Sequence, residues 1–290
     1  MKRSPVPARP RNRPRTAETV DVLGVRFHNL TRAEAAKAIA GLAVDSRRAY
    51  VVKPYSEFMP RAVRDPRVRE ILNGAALCLP DGVGILWAAH YLSLPGGKMR
   101  ALWQLALSLA SLALNPGAVR RPLCENMAGV DLTWAMLSAL EAAGASVFLL
   151  GGTAAELRRT RERIGKRFPR LRVAGARRGY FNVRGQENEA VITEVNAAGP
   201  QALLVAMGFP LQERWVAENL SQLNVNVAIA EGGSFSFISG ATRRAPGWMR
   251  RAGLEWLFRL LGQPWRLRRQ LALPVFVWLV LKERLRPGLK

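Results

Sequence analysis

The feature that most constrains the fold is a pair of short apolar runs, each of which ends in a polar turn that contains glycine. Leu203–Met207 leads into Gly208-Phe209-Pro210, and Ala228–Ala230 leads into Glu231-Gly232-Gly233-Ser234. Open α/β sheets bind ligands at such strand ends, where a helix begins and free backbone N–H groups suit phosphate oxygens. The pattern therefore predicts an anion-binding edge on an α/β sheet.

Strand-like and helix-like segments alternate along the chain. A capping box, Thr31 with Glu34, marks the start of the first helix. Helices are also predicted at 57–72, 83–92, 131–143, 155–168 and 187–198. Strands are predicted at Val20–Phe27, 49–52, 75–79, 146–150, 171–174, 202–207 and 226–230. This alternation predicts an α/β fold with a mostly parallel, Rossmann-like sheet flanked by helices, followed by a helical, basic C-terminal appendage.

The net charge of +23 predicts attraction to polyanions such as nucleic acid, lipid headgroups or phosphorylated substrates. The charge is concentrated towards the two ends. We expect residues 1–17 to be a disordered basic tail, residues 18–242 to be the α/β domain, and residues 243–290 to be an amphipathic appendage. The proline-rich N-terminus lacks the apolar core of a secretory signal.

Two apolar stretches interrupt the alternation. The first, 101–114, lies in a predicted insertion, 93–126, and is too short to span a bilayer. It fits a buried helix, a membrane-dipping element or an oligomerising element, so a homo-oligomer stays possible. The second, Leu271–Leu281, contains Pro274 and Trp278 and is bracketed by arginines. It favours a peripheral association with an anionic membrane surface, the alternative being a solvated basic tail.

Two cysteines, Cys78 and Cys124, are too few for a disulfide framework and predict reduced, buried thiols. With only two histidines, a His/Cys metal site is not expected. We expect neither a metal nor another cofactor.

A few polar residues are candidates for a site, each with a structural alternative. Asp81, at a strand-to-helix turn, fits a catalytic carboxylate or a helix N-cap. Gly151 and Gly152 fit phosphate contact or a plain turn, since a Gly-x-Gly-x-x-Gly pattern is absent. Arg259, Arg266 and Arg269 are spaced to share one helix face, which fits anion binding or a solubilising surface.

Six blocks, in order, resemble the WecG/TagA/CpsF family of bacterial glycosyltransferases over roughly residues 20 to 270. They begin with Pro80-Asp81-Gly82-Val83-Gly84, Gly129-Val130-Asp131-Leu132 and Phe148-Leu149-Leu150-Gly151-Gly152. They continue with Gly208-x-Pro210-x-Gln212-Glu213, Gly233-Ser234-Phe235-x-Phe237-x-x-Gly240 and Arg244-Ala245-Pro246-x-Trp248-Met249.

The resemblance implies an inverting, metal-independent glycosyltransferase in surface polysaccharide biosynthesis. Its donor is a UDP-sugar, and its acceptor is a polyprenyl-diphosphate-linked saccharide at the cytoplasmic face of the inner membrane. It implies that Asp81 is the general base and that Gln212 orients substrate. Arg259, Arg266 and Arg269 are implied to bind diphosphate or lipid. Donor and nucleotide contacts are implied for Lys53, Tyr55, Gly82, Gly84, Gly151, Gly152, Thr153, Gly208, Pro210, Glu213, Glu231, Gly232, Gly233 and Ser234.

One block departs from the family. Many members have Thr-x-Asn after the second strand, where this chain has Lys53 and Tyr55. Lys53 could pair with an anionic group on donor or acceptor. The donor sugar is therefore expected to be of the N-acetylmannosamine type, a uronic acid or another hexose.

Two other functions compete with this interpretation. The charge alone fits a nucleic-acid-binding protein, but the basic residues concentrate in tails beside tryptophan and aliphatic residues, and no recognised nucleic-acid motif is present. We therefore expect no nucleic-acid partner. A non-catalytic scaffold of a polysaccharide assembly complex is the second alternative, and the intact Asp81 and Gln212 blocks argue against it.

Overall fold

The computed structural model describes residues 18–115, 117–247, 249, 255–264 and 267–286, so the predicted tail at 1–17 lies outside the described residues. Six parallel strands form one sheet in the order β4-β3-β8-β7-β5-β6, and β1 and β2 form a separate antiparallel pair. The strands are β1 Thr19–Val22, β2 Val25–His28, β3 Ala49–Val52, β4 Leu77–Cys78, β5 Val147–Gly151, β6 Val173–Arg177, β7 Ala202–Ala206 and β8 Val227–Ala230.

Helices cover both faces of the sheet, which confirms the predicted fold class. On β5, Phe148 and Leu150 point into one buried core, and Val147 and Leu149 point into the other. The helices are α1 Arg32–Val44, α2 Met59–Arg64, α3 Pro66–Gly74, α4 Val83–Ser93, α5 Lys98–Leu114, α6 Gly129–Ala142, α7 Ala154–Arg167, α8 Gln186–Ala198, α9 Leu211–Asn219, α10 Ser234–Ile238, α11 Glu255–Gly262, α12 Leu267–Gln270 and α13 Ala272–Arg284.

The prediction of a single strand over Val20–Phe27 is wrong. The chain turns at Leu23 and Gly24, whose φ angles are 55° and 80°, so that β1 pairs with β2 as a hairpin. Positive φ at both central residues is the two-residue turn that suits the twist of paired strands. The Asp21 Oδ1 atom accepts a hydrogen bond from the Gly24 N–H at 2.8 Å, which holds the turn.

The predicted continuous helix over 57–72 is also wrong. A short 3₁₀ turn, Ser56–Phe58, precedes α2, and the chain leaves the helix at Asp65 before α3 begins at Pro66. Proline disfavours helical backbone at the residue before it, and it is well suited to a first helical position. The Asp65 carboxylate accepts the backbone N–H groups of Arg67 and Val68, which caps α3.

The two apolar stretches both form helices. α5 lies within the predicted insertion, and α13 lies within the predicted appendage. Phe276, Val280 and Leu281 of α13 are buried in the same core as the strands, so α13 is packed onto the domain. Among the residues that the structure describes, no helix is long and apolar enough to cross a membrane.

Candidate active site

The carboxyl ends of the parallel strands carry most of the predicted site residues. Asp81 follows β4, Lys53 follows β3, Glu231 follows β8 and Gly208 follows β7, and these four strands are neighbours in that order. Gly151, the last residue of β5, comes next along the same edge. The structure therefore brings together, at one edge of the sheet, residues that lie far apart in the sequence.

Asp81 is half-buried in the loop between β4 and α4. Gly82, with a φ of 89°, is the N-cap residue of α4 and has no side chain with which to cap the helix. The N-cap position is therefore occupied by Gly82 and not by Asp81, as the alternative had it. The Asp81 N–H donates to the Pro54 carbonyl at 3.2 Å, and the Gly82 N–H donates to Asn126 Oδ1 at 2.7 Å, so the loop is held on both sides.

A small gap separates the Asp81 carboxylate from the start of α10. A methyl group on Gly129 would lie 3.8 Å from Asp81 Oδ2 and 3.6 Å from Ser234 Oγ. Because glycine leaves this space open, a carboxylate and a hydroxyl face a common point beside the first residue of α6. A carboxylate within hydrogen-bond reach of a substrate hydroxyl is the arrangement that proton abstraction requires.

Lys53, which follows β3, forms a buried ion pair with Glu231. Its Nζ atom is 3.0 Å from Glu231 Oε2, and both side chains are almost fully enclosed. The hydroxyl of Thr133 donates to the same Glu231 oxygen at 2.5 Å and lies 3.2 Å from Ser234 Oγ. The charge of Lys53 thus faces an anion supplied by the protein, which links the ends of β3 and β8 to α6.

Gln212 joins the two loops that follow β7 and β8. Its Oε1 atom accepts the N–H groups of Gly208 at 3.1 Å and Gly232 at 3.0 Å, and its Nε2 donates to Glu213 Oε1 at 2.8 Å. Gly208 and Gly232 both have positive φ, which glycine adopts without strain. Gln212 is buried, and its hydrogen bonds hold the loops that follow β7 and β8 in fixed positions relative to each other.

Glu213 is buried beside Gln212, and this burial raises the pKa of its carboxyl group to about 7. Because the folded pKa lies above the unfolded one, the group favours folding below the unfolded value, and this contribution is lost as the pH rises through 7. Between about pH 5 and about pH 8 we expect the free energy of unfolding to fall by about 2–3 kcal/mol more in the wild type than in Glu213→Gln. Urea unfolding of both proteins at several pH values measures this difference, and parallel curves would contradict it.

At the carboxyl end of β5, backbone groups rather than side chains form the polar edge of the sheet. A side chain at Gly151, which has a φ of 140°, would run into the carbonyl of Ala206, and the Gly152 N–H donates to that carbonyl at 3.2 Å. Thr153 caps α7: its hydroxyl accepts the Glu156 N–H at 3.2 Å, and its own N–H donates to Glu156 Oε2 at 2.9 Å. The predicted capping pattern at Thr31 and Glu34 is also confirmed.

Tyr55 and Arg269 meet at the rim of the site. The Arg269 guanidinium donates to the Tyr55 hydroxyl, and its Nε lies 3.3 Å from Glu57 Oε2. The appendage therefore closes over the loop that follows β3. A cavity of about 260 Å³ lies here, lined by Tyr55, Glu57, Phe58, Arg61, Phe209, Pro210, Arg269 and Ala272.

Arg269 is the one predicted arginine of the appendage whose side chain is described. Arg266 and the side chain of Arg259 lie outside the described residues. A larger groove, of about 670 Å³, lies between α7 and β6 and contains none of the predicted site residues. We place the candidate site at the polar edge, because that is where the carboxylate, the hydroxyl and the glycine-containing turns converge.

Sequence reasoning missed four residues that shape the edge. Thr133 and Asn126 hold Glu231 and Gly82, as described above. Arg244 forms two hydrogen bonds to the Asp131 carboxylate, at 2.6 and 2.9 Å, which fix the start of the appendage to α6. These bonds to Asp131 raise the pKa of Arg244. Asp131 and Arg244 each stand in a block that carries the resemblance, but nothing in one sequence pairs them.

An open parallel sheet with a polar edge at its carboxyl ends defines a ligand-binding α/β domain, and comparison with known proteins narrows that class. The profile described as "Glycosyl transferase WecG/TagA/CpsF family" matches residues 20–118 and 112–290. The chain therefore belongs to this family and is a glycosyltransferase.

Three relatives share the name N-acetylglucosaminyldiphosphoundecaprenol N-acetyl-beta-D-mannosaminyltransferase. The protein from Bacillus spizizenii is 29% identical over 237 residues, which is 82% of this chain and 80% of that protein. The Bacillus subtilis protein is 28% identical over 222 residues, covering 77% and 75%. The Staphylococcus aureus protein is 26% identical over 267 residues, covering 91% and 93%.

Proposed function

We propose that this protein transfers a sugar from a UDP-sugar to a polyprenyl-diphosphate-linked saccharide, with inversion and without a metal ion. The observation that carries the proposal is the half-buried Asp81 carboxylate facing Ser234 across the gap at Gly129. The names of the relatives support the acceptor class, since each specifies a sugar diphosphate on undecaprenol. Those names also specify a β-linked product, which a single displacement on an α-linked donor gives.

In the proposed reaction, the acceptor hydroxyl lies in the gap and gives its proton to Asp81. The oxygen then attacks the anomeric carbon from the side opposite the diphosphate. The bond from that carbon to the diphosphate oxygen breaks, and UDP leaves with the bonding electrons. General-base assistance of this kind contributes about 10²–10⁴-fold to a rate.

The departing diphosphate requires positive charge and N–H donors. We assign the charge to the arginines of the appendage, of which Arg269 lies at the rim beside Tyr55. Guanidinium groups bind diphosphate oxygens through two parallel hydrogen bonds. The glycine-containing turns after β5, β7 and β8 supply backbone N–H groups at the same edge.

For the donor we favour a neutral sugar of the N-acetylmannosamine type over a uronic acid. Glu231 already balances the charge of Lys53 inside the protein, so a carboxylate on the donor gains little from it. Competition between UDP-N-acetylmannosamine and UDP-uronic acids measures this preference directly. Preferred turnover of an acidic donor would contradict it and would return Lys53 to the role of an anion partner.

We place the reaction at the cytoplasmic face of the membrane, with the protein bound peripherally through its basic appendage. A polyprenyl acceptor cannot leave the bilayer, so the enzyme has to approach it from the surface. Exposed apolar side chains on α11 and α13, Trp256, Leu261 and Trp278, support such an approach.

The experiment that tests the proposal is UDP release by the full chain, with a panel of UDP-sugars and a short-chain polyprenyl-diphosphate N-acetylglucosamine acceptor. We expect release that depends on the acceptor, that one donor supports best, and that survives EDTA. Loss of activity in EDTA would remove the metal-independent mechanism. If the folded protein releases no UDP with any donor of the panel, the result would favour the non-catalytic scaffold.

A further inference from the structure

The helix α5 is fixed in its orientation by two hydrogen bonds to α4. The Trp87 indole N–H donates to Ser108 Oγ at 3.0 Å, and the Tyr91 hydroxyl donates to the Ala101 carbonyl at 2.9 Å. Ala101 and Ser108 are buried as a result. One side of α5 therefore packs against the protein core, and the opposite side faces outwards.

The outward side of α5 is apolar. Met99 is 94% exposed, Trp103 71%, Leu102 62% and Leu107 57%. A helix on a water-facing surface normally carries charged or polar residues there, but α5 has no charged residue after Arg100. A contiguous exposed apolar surface of this kind marks an interaction site. We call these four residues the α5 face.

Basic residues flank the α5 face at both ends. Lys98 and Arg100 lie in the first turn, and Arg120 and Arg121 follow the helix; all four are exposed. None forms an ion pair with a carboxylate in the part of the chain that the structure describes. The helix dipole disfavours cations at an N-terminus, and no acid accompanies them. An anionic partner outside the chain would offset that repulsion.

We infer that the α5 face is a membrane-contacting surface, separate from the basic appendage, which inserts at the boundary between headgroups and acyl chains of an anionic bilayer. A bilayer supplies the apolar layer and the negative charge together. A second copy of this chain matches the apolar side chains, but it would set the four flanking cations against their equivalents and join two chains of charge +23.

The α5 face is joined mechanically to the candidate site through α13, which packs against both α4 and α5. Phe276 of α13 lies beside Gly84, in the first turn of α4 and next to the Asp81 loop. The Arg284 guanidinium donates to the carbonyls of Leu94 and Gly96, just before α5. Membrane contact at the α5 face would hold the candidate site close to a lipid-linked acceptor. Only this consequence for catalysis rests on the proposed function.

The test compares the full chain with a triple variant, Leu102→Gln, Trp103→Gln and Leu107→Gln. The matched control is Val44→Gln, since Val44 is 60% exposed at the end of α1, on another element. Binding is measured by co-sedimentation with vesicles of phosphatidylglycerol and phosphatidylcholine. Transfer is measured twice, with a short-chain acceptor in solution and with a long-chain acceptor in the vesicles.

We expect the triple variant to lose vesicle partitioning by on the order of a hundredfold, because three inserting side chains become polar. Its kcat/KM with the soluble acceptor should stay within about twofold of the wild type and fall only with the vesicle acceptor. Unchanged partitioning would overturn the inference. So would a wild-type dimer, seen by sedimentation velocity without vesicles, that the variant dissociates. If no donor supports transfer, the proposed function fails, and the partitioning result still decides the inference.

Discussion

Replacement of Asp81 by asparagine is expected to lower kcat by about 10²–10⁴-fold with little change in the affinity for UDP. Asparagine has the same shape, so the loop that Pro54 and Asn126 hold should keep its position. Its amide cannot take a proton from the acceptor hydroxyl. Steady-state UDP release under saturating donor and acceptor measures the change, and calorimetric titration with UDP checks that the nucleotide still binds.

The control for this variant is Asp21→Asn, which alters an exposed carboxylate in the β1–β2 turn, remote from the polar edge in the sequence. It should leave turnover unchanged. An Asp81→Asn enzyme within about tenfold of the wild type would mean that another group, or water, accepts the proton. The protein would still be a glycosyltransferase, but Asp81 would not be its general base.

The parts of the fold that the sequence predicted well are those whose signals are local. The apolar runs at β5, β7 and β8 and the turns that follow them are short patterns, and their carboxyl ends necessarily meet at one edge once the strands are parallel. The hairpin at Leu23-Gly24 was missed because that turn lacks the Asn-Gly or Asp-Gly pair that usually marks it. The break at Pro66 carried a local signal, since proline disfavours helical backbone at the residue before it, and the prediction of one helix over 57–72 did not use that signal.

The contacts that shape the candidate site could not be predicted in the same way. Gln212 was expected to orient substrate, and the structure shows what it touches: two backbone N–H groups on separate loops. Lys53 was considered for an anion on the substrate, and its partner is Glu231 on another strand. Such pairings depend on the order of strands in the sheet, which a list of strands along one chain does not give.

The ion pair between Lys53 and Glu231 leads to the second large expected effect. Lys53→Met should lower the free energy of unfolding by about 3–5 kcal/mol, because it leaves the Glu231 carboxylate buried without a counter-charge. The matched control is Arg67→Met, which breaks the exposed pair with Glu218 and should cost about 1 kcal/mol or less. Urea unfolding at one pH measures both variants.

The double variant Lys53→Met with Glu231→Gln separates the electrostatic cause from the loss of packing. With both charges removed, no buried ion is left unpaired, so most of the lost stability should return. If the pair only supports the fold, transfer should return with stability. If stability returns and transfer does not, the pair also sets the positions of β3 and β8 beside the Asp81 gap, because Thr133 and Ser234 are bonded to the same carboxylate network. If the Lys53→Met protein were as stable as the Arg67→Met protein, the Glu231 carboxylate could not be a buried charge that needs Lys53 as its partner. That result would contradict the predicted loss of stability.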